Sequence, residues 1–113
     1  MELESYTFVL LRRPPDAPDL PEDELDLLQA GHLAFLDRMR ERGAMLVSGP
    51  FDGRTDDSLR GFSLYRTSIE ETRELLRDDP ALKANRMVAD VFTWWTTKGA
   101  VAFPLASAAS GSS

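Results

Sequence analysis

His32, the only histidine in the chain, and the tripeptide Asp78-Asp79-Pro80 are the residues equipped to move a proton. An imidazole titrates close to neutrality, and a carboxylate that fixes its tautomer makes it a general acid or base. His32 falls four residues after Leu28 and four before Leu36, so a helix would set it on, or at the margin of, the stripe facing the core. The same spacing suits a half-buried histidine satisfied by a backbone carbonyl, and Asp-Asp-Pro at a helix end is also ordinary turn chemistry. Ser48-Gly49-Pro50 offers a backbone that a ligand can approach closely, or simply a turn.

The other residue types narrow the chemistry. The chain has no cysteine, which removes disulfides, thiolate nucleophiles and thiolate-bound zinc or iron–sulfur groups. A single histidine excludes most metal cages, and Asp52, Asp56 and Asp57 lack the spacing of a calcium loop. Glycine-rich dinucleotide loops, Walker segments and serine-centred hydrolase signatures are absent, and no residue requires a cofactor. With 19 acidic against 13 basic residues the formal charge is −6, and the cations are scattered, which argues against nucleic acid as a partner. No apolar run approaches the ~18 residues of a membrane span. Met1-Glu2-Leu3-Glu4 lacks the basic and apolar parts of a signal peptide, so a cytoplasmic location is expected.

The elements that must position these groups follow from hydrophobic periodicity. At 113 residues, 42% apolar and 28% charged, the chain suits one globular domain. Tyr6 to Leu11 reads as a strand closed by Arg12-Arg13-Pro14-Pro15. A loop with prolines at 14, 15, 18 and 21 leads to Glu22-Asp23-Glu24, the acidic start that a helix dipole favours. Leu25, Leu28, Phe35, Leu36 and Met39 predict a helix as far as Arg42, stopped by Gly43. Ala44 to Val47 predicts a second strand, with Pro50 marking its end or a sheet edge. A third strand is expected over 60–66. Ser68 and Glu71 then match the capping box of a second helix, which Asp79-Pro80 breaks before one further turn over 81–85. Met87 to Thr96 is the last strand.

This order predicts an α+β fold of the ferredoxin-like βαββαβ type, with both helices on one face of a four-stranded antiparallel sheet. The last strand carries large apolar residues in both registers (Val88, Phe92 and Trp94; Met87, Val91 and Trp95), so the uncovered face predicts a homodimer. The domain is expected to span 1–103, and the Ala-, Ser- and Gly-rich residues 104–113 to form a flexible tail.

The stretches "GHLAFLDRMRERGAMLVSGPF" and "SIEETRELLRDDPALKANRMVADVFTWW" resemble, in order and spacing, the YCII-related family, and "SGPFDG" partly matches its Asp-Gly-Pro-Phe-like segment. The resemblance runs from the first strand to Trp95 and leaves out the proline loop and the tail. It implies a dimeric α/β-barrel subunit of ferredoxin-like fold with an active site of one His and one Asp. The family histidine falls on His32 and the Asp before Pro on Asp79, with Ser48, Gly49 and Pro50 flanking the pocket. Asn85 stands where many relatives have Gly and tolerates the same left-handed backbone. The implied function is proton transfer on a small aromatic or carbonyl-containing molecule, by elimination, isomerisation or hydrolysis. One branch of the family resembles a dehydrochlorinase of chlorinated hydroxyquinols. The same residues leave open a dimeric module that binds a metabolite or a protein partner and keeps His32 as a structural group.

Overall fold

The computed structural model describes residues 1–102, and the tail expected at 104–113 lies outside the described residues. The chain runs β1 (Leu3–Arg12), α1 (Glu22–Glu41), β2 (Met45–Pro50), β3 (Leu59–Tyr65), α2 (Ile69–Leu76), α3 (Pro80–Lys83) and β4 (Val88–Thr97). The strands form one antiparallel sheet in the order β2-β3-β1-β4. This is the α+β ferredoxin-like arrangement predicted from the element order.

Alternation along β1 sorts the two faces. Thr7, Val9 and Leu11 are buried, while Tyr6, Phe8 and Leu10 between them point to the opposite face. Val9 and Leu11 join Met45 and Tyr65 from the sheet with Phe35 and Met39 of α1 and Leu76 of α2 in a single core. Both long helices therefore cover the same face.

On the other face the rings of Phe8 and Phe62 stack at 5.1 Å between centroids, and Tyr6 lies 6.1 Å from Trp94. No helix covers them, and Phe92 remains 50% and Trp94 40% exposed.

Some element boundaries differ from the sequence reading. β1 starts at Leu3, before the apolar run, because its backbone pairs with β4 from Leu3–Thr97 to Arg12–Val88 whatever the polarity of Glu4 and Ser5. α1 starts at Glu22, the acidic start expected for it, directly after Pro21, whose carbonyl accepts the Leu25 N–H at 3.0 Å. β2 continues through Ser48, Gly49 and Pro50. Proline is tolerated there because β2 is an edge strand. Gly61 opposite helps, since a Cβ on it would lie 2.7 Å from the Gly49 carbonyl oxygen. Ser68 caps α2 as predicted, its side chain accepting the Glu71 N–H at 3.1 Å. No helix among the described residues is long and apolar enough to cross a membrane.

Candidate active site

Two local features of the sequence bring His32 and Asp79 together. The first is Gly31. Glycine in a helix interior is ~1 kcal/mol less favourable than alanine, but here it lets α1 lie directly on Pro80, whose Cγ would be 2.9 Å from a Cβ at position 31. The second is the helix break. Proline at position 80 bars helical dihedrals at Asp79, which takes an extended conformation (φ −77°, ψ 116°) and becomes the N-cap of α3.

The two carboxylate oxygens of Asp79 then do different work. Oδ1 accepts the N–H of Ala81 at 3.0 Å, as an N-cap does. Oδ2 lies 2.7 Å from Nδ1 of His32. Asp79 is 1% and His32 8% exposed, so the pair is shielded from bulk water. Asp78, next in the chain, is exposed and takes no part.

A carboxylate can only accept, so Nδ1 carries the proton and donates, leaving the lone pair of the neutral ring on Nε2. Nε2 has no hydrogen-bond partner among the described residues, and it is not fully sealed from solvent. The ring is thus held at one nitrogen and, among the described residues, unpartnered at the other. That is what a general acid or base requires.

Tyr65 is a further polar group of the interior that its place in an apolar strand run conceals. It is fully buried, and its hydroxyl is the sole buried side-chain polar atom among the described residues without a hydrogen-bond partner. Burial, and secondarily the negative charge of Asp79, raise its pKa well above the ordinary phenol value. It stays a neutral phenol.

Ser48, Gly49 and Pro50 lie at the far end of β2, opposite Ser63, Phe62 and Gly61. No hydrogen bond among the described residues joins them to His32 or Asp79. Nor do the described residues contain a cluster of three or more His, Asp or Glu side chains able to hold a metal.

No curated protein matches the chain. Among solved structures it is similar to 5-chloro-2-hydroxyhydroquinone dehydrochlorinase from Burkholderia phenoliruptrix AC1100, in complex with 2,5-dihydroxybenzoquinone. The TM-score is 0.56 and the identity 22%, over 79% of this chain and 92% of that one. That likeness concerns the fold. The profile of the YCII-related domain matches residues 7–94, from β1 to β4 and with both His32 and Asp79 inside. On that match over most of its length, the chain belongs to the YCII-related domain family.

Proposed function

We propose that the chain is a small homodimeric enzyme in which His32 and Asp79 transfer a proton on a small aromatic or carbonyl-containing metabolite. One observation carries the reading: Nδ1 of His32 is held 2.7 Å from a buried carboxylate while Nε2 has no hydrogen-bond partner among the described residues. In this scheme Nε2 takes a proton from an O–H or an activated C–H of the substrate. Asp79 stays ionised and stabilises the imidazolium, which returns the proton to the leaving group or to another atom of the substrate. Elimination, the reaction class of the dehydrochlorinase that shares the fold, fits this scheme, as do isomerisation and hydrolysis. Ser48, Gly49 and Pro50 flank the pocket in this reading. In its support, Ser48 and Pro50 pair with the buried Ser63 and Gly61, on the face that carries the helices. Dimerisation would cover the exposed rings of Phe92 and Trp94, and the lack of cysteine suits a reducing cytoplasm.

A second reading, a binding module with a structural histidine, is favoured by the other role of Asp79. A carboxylate that caps α3 has a reason to be there without catalysis. Screening hydroxyaromatic and lactone substrates decides between the two. For any substrate turned over, His32→Ala is expected to lower turnover by on the order of a hundredfold with the fold intact. Unchanged turnover in that variant would sink the catalytic reading.

A further inference from the structure

A cavity of about 250 Å³ opens between the first turns of α1, the ends of β1 and β3 and the segment before β4. Leu25, Leu28 and Met87 form its apolar wall, and Arg13, Arg60 and Arg86 its cationic side. Leu28 and the neighbouring Gln29 lie one turn before His32, on the side toward which a helical side chain leans. Ala81, also in the lining, is the residue whose N–H holds Asp79. The cavity therefore lies one turn of α1 before His32 and beside the residue that holds Asp79, although neither His32 nor Asp79 is in its lining.

Its charge opposes that of the molecule. In a chain of net charge −6, three arginines line this space against one carboxylate residue, Asp26. Their charges are poorly neutralised. Arg13 makes only a 3.8 Å contact with the exposed Asp57. Arg60 and Arg86 form no ion pair among the described residues. Instead Arg86 donates to the Pro18 carbonyl at 2.7 Å and Arg60 to that of Asp57 at 3.5 Å. Each guanidinium has five N–H donors in a planar fork that fits a carboxylate, so most of these donors remain free.

We infer that this cavity binds a small organic carboxylate, its charge on Arg13, Arg60 and Arg86 and its apolar body against Leu25, Leu28 and Met87. The inference names the substrate class for the proton-transfer site and rests on that reading only for the part played by His32. An apolar wall with a few convergent polar groups is how small-molecule sites combine affinity with orientation. Anchoring the carboxylate here would hold the rest of the molecule beside the turn of α1 that precedes His32.

The test uses the whole protein and three probes: sodium benzoate, benzyl alcohol as its neutral counterpart, and inorganic phosphate as bare charge. Binding is followed through the backbone amide NMR shifts of Leu25, Leu28, Gln29 and Met87. Benzoate is expected to shift these amides saturably in the millimolar range, with benzyl alcohol at least tenfold weaker. Arg13→Gln and Arg60→Gln should each weaken benzoate at least threefold while the rest of the spectrum stays in place; Arg86 is spared because it tethers Pro18. No benzoate shift at these amides, equal affinity for the alcohol, or an equal response to phosphate overturns the assignment. His32→Gln separates this inference from the catalytic one. Benzoate bound equally by that variant, with turnover abolished, supports both. Benzoate binding with turnover that ignores His32 leaves the cavity standing and removes the proton-transfer reading. Turnover that needs His32, in a protein that ignores benzoate, does the reverse.

Discussion

Gly31 and Pro80 are in direct register across the α1–α3 contact, and a Cβ on the glycine would sit 2.9 Å from the proline Cγ. The proline ring cannot rotate away, so an added methyl must push α1 and α3 apart. Gly→Ala in a helix ordinarily gains ~1 kcal/mol, whereas overpacking loses ~1–3 kcal/mol. Gly31→Ala is therefore expected to lower stability by about 1 kcal/mol in urea denaturation and to move the NMR signals of the His32 ring. A gain of stability would show that the two helices are not closely packed.

Asp79 gives a second pair of expectations. Asp79→Ala removes a cap worth about 1 kcal/mol and leaves the buried Nδ1–H of His32 without an acceptor, a further loss of about 1–3 kcal/mol. Asp79→Asn keeps the size of the side chain and an oxygen for the cap, and should lose less than half as much. Equal losses in the two variants, read from denaturation midpoints, would mean that the carboxylate charge dominates over the cap and the packing.

Tyr65 predicts a dependence on alkaline pH. Its folded pKa is raised above the ordinary value of 10.0 by burial and then by Asp79, so the folded state holds the phenolic proton more tightly than the unfolded chain. Stability should be level with respect to this group below pH 10.0 and fall as pH rises above it, where unfolding releases the proton. Tyr65→Phe should flatten that part of the curve. It also removes a buried hydroxyl that has no partner, so its stability at neutral pH should match or exceed that of the parent, by up to about 1 kcal/mol. A marked loss at neutral pH would reveal a partner, such as a bound water.

The aromatic sheet face predicts association. The chain should sediment as a dimer at micromolar concentration, and Phe92→Glu, which sets a charge beside Phe8 on the face that carries Trp94, should shift it to monomer. A parent that is already monomeric would remove the proposed homodimer.

The geometry of the candidate site was legible as far as local rules reach. The spacing of Leu28, His32 and Leu36 placed the histidine on the inner side of α1, and Pro80 marked where Asp79 leaves the helix. Ser68 and Glu71 announced the start of α2. Long-range relationships carried no such mark. A single glycine within a helical pattern does not reveal that a proline far along the chain rests on it. Tyr65 reads as one more apolar strand residue, because only the packed core shows that its hydroxyl has no partner. Arg13, Arg60 and Arg86 look scattered in sequence and converge only because the sheet order sets the ends of β1 and β3 and the approach to β4 side by side. Pro50 suggested the end of a strand or a sheet edge, and β2 is an edge strand that ends there; the close approach of Gly61 to its backbone had no mark in the sequence.

Because Asp79 both starts α3 and holds the imidazole, the site is anchored to an architectural joint. Its position cannot drift independently of the backbone: relocating the carboxylate by one residue would relocate a helix start as well. A survey of variants scored by cellular abundance alone would rank Asp79 as an architectural residue and pass over its partnership with His32. Scoring abundance and chemistry in the same variants is needed to tell the two roles apart.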